Sequence, residues 1–387
     1  MKKVMVVFGT RPEAIKMAPV VKELEKYPDK IESVVCVTGQ HREMLDQVIS
    51  LFEIKPQIDL NLMEPNQTLA SLTAKAITSL TDVIANVKPD IVLVQGDTTT
   101  AMIAGLASFY QKVSVGHVEA GLRTYDRYSP FPEEINRRLI SVLATYNFAP
   151  TQTAVNALMN EGYPGESIFL TGNTVIDALL MTVKRDYEID LGFSPLNDKL
   201  ILVTAHRREN FGQPLENICT ALKEIARCNP EVEIVYPVHL NPNVRSTVYQ
   251  MLSNQERIHL IKPLEYEKFV HLMNSSYLVL TDSGGIQEEA PALGKPVLVL
   301  RSETERPEAI EAGVVKLVGT DTKVIISETE RLLHDEEEYT AMSKGISPYG
   351  DGHAAERIVK IIVEGWFSSY VPRKICYVSR NKKIRYL

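Results

Sequence analysis

Leu278-Val279-Leu280-Thr281-Asp282-Ser283-Gly284-Gly285-Ile286-Gln287-Glu288-Glu289 reads as a strand, a turn and the start of a helix in one short run. The apolar stretch ends at Thr281, Ser-Gly-Gly turns the chain, and a helical pattern follows. Bare glycine N–H groups at a helix N-terminus bind phosphate well. Glu289, about one turn inside the helix, can accept bonds from ribose hydroxyls. The unit therefore predicts a parallel α/β sheet with a nucleotide beyond the strand's carboxyl end.

The same alternation extends in both directions. Val4–Phe8, Ser33–Thr38, Ile91–Val94 and Val113–Val118 read as buried strands, as do Lys199–Thr204, Glu233–Tyr236 and Val297–Leu300. Helical patterns over Thr68–Val87, Ala101–Tyr110 and Leu215–Arg227 lie between them. Strand and helix in turn imply parallel sheets covered by helices. The alternation pauses near Lys184–Asp198, where Gly192, Pro195 and Asn197 mark a linker, and then resumes. The predicted fold is two doubly wound Rossmann-like domains facing a central cleft. Residues 1–184 form the first and 199–353 the second. Residues 354–387 form a C-terminal helix and tail that packs back on the first domain.

Bulk properties agree. A chain of 387 residues is too long for one ordinary core and suits two domains. No apolar run approaches the roughly 20 residues that span a bilayer. The N-terminal Met1–Gly9 run suits a first strand better than a signal peptide. A net charge of −7 argues against a broad basic surface for nucleic acid. Four scattered cysteines without a C-x-x-C argue against a disulfide framework or zinc site and fit a reducing cytoplasm. No P-loop occurs. Gly350-Asp351-Gly352-His353-Ala354-Ala355 loosely fits a dinucleotide fingerprint but follows no strand, so no cofactor is expected.

The residues directly after strands carry the chemistry. Gly9-Thr10-Arg11-Pro12-Glu13-Ala14-Ile15-Lys16 places a tight turn and two cations at a helix start. Asp97, in Gln95-Gly96-Asp97-Thr98-Thr99-Thr100, reads either as the cap of the next helix or as a carboxylate aimed into the cleft. Glu119, after a buried strand, is costly there unless paired or functional. Two acids at successive strand ends suit general acid/base work. Glu133 and Arg137, in Pro132–Arg138, read as an i,i+4 pair on a new helix. His206, in Thr204-Ala205-His206-Arg207-Arg208-Glu209-Asn210, suits proton transfer or a diphosphate contact near neutral pH.

Taken in order, the motifs GTRPEAIKMAP (9–19), TGQHREMLDQV (38–48), QGDTTT (95–100), HVEAGLRT (117–124), PEEINRR (132–138), TAHRREN (204–210), DSGGIQEEA (282–290) and ERPE (305–308) resemble the non-hydrolysing UDP-N-acetylglucosamine 2-epimerases of bacteria and archaea. The resemblance runs from Val4 to about Trp366, and the tail from Ser368 to Leu387 matches no pattern of that family. It implies the two-domain fold of nucleotide-sugar transferases (GT-B). It also implies inversion at C2 of UDP-N-acetylglucosamine, supplying N-acetylmannosamine units for cell-surface polysaccharide.

By the same resemblance Ser283, Gly284 and Gly285 hold the diphosphate, Glu289 the ribose, and Phe269 lies by the uracil. Arg11, Lys16 and Arg306 are further ligand contacts. Asp97, Glu119, Glu133 and His206 match the catalytic set. A second substrate molecule acts as an allosteric activator; Gln40, Gln67, Arg207 and His239 match its site, Glu43 belongs to it by position, and Glu133 can touch both sites. Glu43 departs from the Gln that some relatives carry there. A homodimer in the cytoplasm is expected. The alternatives are a UDP-sugar glycosyltransferase of the same fold, a hydrolysing 2-epimerase, and a non-catalytic nucleotide-sugar sensor.

Overall fold

Two parallel sheets organise the chain in a computed structural model, which describes residues 1–39, 42–62, 64, 67–184, 187, 189, 199–345 and 347–365. The first sheet contains β1 (Lys2–Phe8), β2 (Ile31–Val37), β3 (Ile58–Asp59), β4 (Ile91–Gln95), β5 (Ser114–Val118), β6 (Tyr146–Ala149) and β7 (Ile168–Leu170). The second contains β8 (Lys199–Thr204), β9 (Val232–Pro237), β10 (Ile258–Ile261), β11 (Leu278–Thr281), β12 (Val297–Val299) and β13 (Val315–Leu317). Their orders are β3-β2-β1-β4-β5-β6-β7 and β10-β9-β8-β11-β12-β13. Both are doubly wound, and each reverses direction at one point, between β1 and β4 and between β8 and β11. Crevices open at such points beyond the strands' carboxyl ends.

The strands are near-continuous apolar runs because helices cover both faces. Val4, Met5, Val6, Val7 and Phe8 are all inaccessible to solvent, as are Leu278, Val279 and Leu280. Long runs of this kind carry the sequence signal. The short strands β3, β6, β7, β10 and β13 do not, and Asn147, buried inside β6, also interrupts its apolar pattern.

The helix Thr174–Val183 joins the two units. It packs against the Arg11–Leu24 and Ala354–Gly365 helices on one side and the Tyr266–Ser275 and Gly284–Ala292 helices on the other. One continuous core accordingly contains Val175, Ile176 and Leu179 together with Met17, Val270 and Ile358. Most of the expected linker, and everything after residue 365, lies outside the described residues. None of the described helices is long and apolar enough to cross a membrane.

The Ala354–Gly365 helix is fastened at its start by another helix. Asp177 accepts the N–H groups of Ala354 (3.2 Å) and Ala355 (2.8 Å), two donors that the helix cannot satisfy itself. A lost cap of this kind costs about 0.5–2 kcal/mol. Asp177→Ala is therefore expected to speed amide exchange across 354–365 by that difference in opening free energy, while the central strands keep their protection. Unchanged exchange in that helix would show that apolar packing alone seats it.

Candidate active site

The first sheet supplies one wall of the cleft. After β1, Thr10 caps the Arg11–Leu24 helix in a capping box with Glu13. Buried Glu13 also accepts the Gly9 N–H (3.1 Å) and the Thr98 hydroxyl (2.7 Å), which locks the turns after β1 and β4 together. A Cβ on Gly9 would lie 2.1 Å from Thr38 Oγ1, so the approach requires glycine. Burial pushes the Glu13 carboxyl up against these hydrogen bonds.

After β4, Thr98 and not Asp97 caps the next helix, accepting the Ala101 N–H at 3.0 Å. That removes the capping alternative for Asp97. Its carboxylate instead meets Arg137, and Asn136 Nδ2 holds its backbone carbonyl at 2.9 Å. The i,i+4 pairing of Glu133 with Arg137 is likewise corrected, because Arg137 turns to Asp97 and lies 3.6 Å from buried Glu134. Glu133 itself is half-buried at the helix start.

After β5, Glu119 adopts a left-handed backbone with φ +65°, uncommon for a residue with a side chain. Its carboxylate is buried and heavily bonded. Lys16 Nζ lies 2.6 Å from Oε1, Asn173 Nδ2 donates to Oε1 at 2.9 Å, and Gln95 Nε2 donates to Oε2. Burial opposes its charge, but Lys16 and then Arg306 and Asn173 outweigh that and hold the carboxyl below the usual glutamate range. Asp97 next door moves the other way: burial raises it, Arg137 only partly offsets the rise, and Glu119 adds to it. His117, fully buried on β5, is bonded to the Gly96 carbonyl at 2.7 Å and is pushed down to about 4 by burial, so it is neutral.

The second sheet supplies the other wall. Asp282, fully buried after β11, accepts the N–H groups of His206 and Arg207, both at 2.8 Å, and Asn210 Nδ2 at 2.9 Å. This fixes the turn after β8. The His206 ring lies 3.7 Å from Asp282 Oδ1 and stacks on His239 with centroids 5.1 Å apart. Burial lowers the His206 pKa, with Asp282 acting against it. Ser283 starts the Gly284–Ala292 helix without a side-chain cap, which leaves the first N–H groups of that helix available. Gly285 is exposed there, and Arg207 flanks Gly284.

Several groups bridge the walls. Arg11 faces Tyr266, Glu289 and Glu265, while Tyr266 donates its hydroxyl to Glu289 at 3.2 Å. Arg306 pairs with buried Glu288, whose other oxygen accepts Asn173 Nδ2 at 2.8 Å. Phe269 packs half-buried on the interdomain core. Of the expected activator set, Arg207 and His239 stand beside His206. Gln67 braces its own loop through the Leu62 carbonyl at 3.2 Å. Gln40 and the Glu43 side chain lie outside the described residues. A cavity of about 480 Å³, lined by Arg123, Thr151, Asn156, Arg306 and Glu308, includes none of Asp97, Glu119 and His206. No cluster of His, Cys, Asp or Glu suited to a metal ion occurs among the described residues.

The family model for UDP-N-acetylglucosamine 2-epimerase matches residues 22–363. This chain belongs to the UDP-N-acetylglucosamine 2-epimerase family. It is 56% identical over 369 residues to UDP-N-acetylglucosamine 2-epimerase of Salmonella typhimurium, covering 93% of this chain and 98% of that protein. The crystal structure of UDP-GlcNAc 2-epimerase from Neisseria meningitidis bound to UDP-GlcNAc is similar, with a TM-score of 0.85 and 54% identity over 94% of this chain and all of that one. The Methanocaldococcus jannaschii enzyme in complex with UDP-GlcNAc and UDP has a TM-score of 0.77 at 34% identity, covering 94% of this chain and 100% of that chain. These matches establish the two Rossmann-like units in GT-B-like arrangement.

For this epimerase-family chain, sequence reading missed Gln95, Arg137, Asn173, Asp282 and Glu288. Each is defined by its partner across the fold, and a single sequence gives no signal for that. Asn173 alone had a local cue, as an Asn just before a helical run.

Glu289 gives the site a titration of its own. Burial raises its carboxyl to about 7, while Tyr266, Lys16 and Arg11 pull it back. A folded pKa above the ordinary 4.5 means that the protonated form favours folding. That contribution is complete below 4.5 and is lost as pH climbs through about 7. In ligand-free protein Glu289→Gln is expected to stabilise the fold by about 1–3 kcal/mol near pH 8 and to change little near pH 5. Equal melting shifts at both pH values would contradict a buried, proton-holding Glu289.

Proposed function

We propose that this chain is a non-hydrolysing epimerase that interconverts UDP-N-acetylglucosamine and UDP-N-acetylmannosamine. The observation that carries the reading is a pair of carboxylates at adjacent strand ends, pushed in opposite directions by their surroundings. Lys16 keeps Glu119 ionised, and burial makes Asp97 hold its proton more readily. Such pairs divide into base and acid.

The C2 proton of the sugar has no neighbouring carbonyl, because C1 is locked as a glycosyl phosphate. Simple deprotonation would leave an unstabilised carbanion. Oxidation at C3 would need a nicotinamide, and the sequence has no dinucleotide fingerprint that follows a strand. Elimination avoids both problems. Glu119 takes the C2 proton, the C1–O bond breaks with its electron pair leaving on UDP, and a C1=C2 glycal remains. Asp97 then protonates C2 from the opposite face while UDP oxygen re-forms the bond to C1. The Ser283–Gly285 turn, Arg11 and His206 are suited to bind the departing diphosphate. Glu289 would take the ribose and Phe269 the uracil. Arg306 serves from the far end, and Glu133 stands one turn from the Arg137 that holds Asp97.

Arg207 and His239, beside His206, support a second substrate molecule acting as an activator, with Gln40, Glu43 and Gln67 completing its site. Exposed Phe109 and Tyr110, with Leu139 and Val142 on the helix packed next to them, support a homodimer.

Protein incubated with UDP-N-acetylglucosamine alone in heavy water is expected to yield the UDP-linked manno epimer, with sigmoidal kinetics and deuterium at C2. Bridging oxygen-18 at the anomeric phosphate should scramble within UDP. Asp97→Asn and Glu119→Gln should each lose about 10²–10⁴-fold in rate and still bind UDP. Free N-acetylmannosamine as the product would mark a hydrolysing enzyme. Conversion only with an added acceptor would mark a transferase, and a product without C2 deuterium would defeat elimination.

A further inference from the structure

Asn173 is buried at the junction of the two units, three residues past the end of β7, and caps the Thr174–Val183 helix that packs on both. Its Oδ1 accepts the Val175 N–H at 3.2 Å. That fixes the amide orientation, because the other terminal atom must then be the NH₂ group. Both Nδ2 hydrogens go to carboxylates, to Glu119 Oε1 at 2.9 Å and Glu288 Oε2 at 2.8 Å. Its backbone N–H is bound to the Tyr349 carbonyl at 2.6 Å. The side chain has no rotational freedom left and no donor to spare.

The two carboxylates belong to different units. Glu119 ends β5 in the first. Glu288 lies on the Gly284–Ala292 helix of the second, next to Glu289 and one turn beyond the Ser283–Gly285 turn. Arg306 occupies the other oxygen of Glu288. A displacement of the Gly284–Ala292 helix therefore reaches Glu119 through a single neutral amide.

We propose that Asn173 is a positioning residue that couples the seat of the nucleotide-binding helix to the orientation of the Glu119 carboxylate. The proposal rests on the reading of Glu119 as the base. Hydrogen bonds to an ionised acceptor are the strong ones and favour its charged form. The other charged or titratable groups facing Glu119 are Lys16 on the first helix, Arg306 and Glu288 from the second unit, Asp97 after β4 and His117 on β5. Asn173 is the uncharged member that touches carboxylates of both units.

Asn173→Ser tests this, because serine keeps an N-cap oxygen for the Thr174–Val183 helix but cannot bridge the carboxylates. The expected result is kcat lower by roughly 10- to 100-fold, the cost of a misplaced catalytic group. The dissociation constant for UDP should stay within about threefold, and the acidic limb of the pH–rate profile should move upward. Carboxyl-carbon NMR of Glu119 in the full chain should show the same upward movement without any turnover. Should the native protein not epimerise at all, the functional reading fails, while the Glu119 titration still decides the role of Asn173. An unmoved titration, or UDP affinity falling in step with kcat, would overturn the proposal and leave Asn173 a purely structural cap.

Discussion

The buried contact of Lys16 with Glu119 is the interaction on which the rest of the site depends. Removing two charges from water costs several kcal/mol per ion, and their attraction repays it only when the remaining polar atoms are also satisfied. The arrangement around them follows from that requirement. Gln95 and Asn173 each donate to one oxygen of Glu119, Arg306 and Glu288 pair nearby, and the backbone at Glu119 is left-handed. Take away the cation and the carboxylate has every reason to protonate. A neutral acid is useless as a base.

The parallel sheets make this placement possible. Each doubly wound sheet opens a crevice where its strand order reverses, and the polar turns gather there. Gly9 and Gly96 flank the reversal of the first sheet, and His206 and Asp282 that of the second. The shared core around the Thr174–Val183 helix holds the two crevices face to face. One capping box, Thr10 with Glu13, also fixes the neighbouring turn through Thr98, so ordinary helix-end chemistry sets the distance between Lys16 and the carboxylates.

Much of this was legible in sequence. Lys199–Thr204 and Leu278–Thr281 appear with the expected bounds because an unbroken apolar run closed by a polar turn has one natural reading. The strand-end residues Asp97, Glu119, His206 and Ser283 were legible for the same reason. Partnership was not. Asp97 taken alone reads better as a cap, but Thr98 does that work, and Arg137, which reads as the partner of Glu133, turns to Asp97. Asn173, Glu288 and Asp282 owe their significance to contacts more than 50 positions away in the chain. Local periodicity does not encode contacts of that range.

In the proposed reaction Lys16 keeps Glu119 ionised and so able to act as the base. The pH dependence of kcat/KM reports the ionisations of the free enzyme, so the decisive measurement is its acidic limb for the native protein and for Lys16→Met. A native limb below the ordinary glutamate value of 4.5, displaced well above it once the cation is gone, is the expected result. The same limb in both proteins would contradict it.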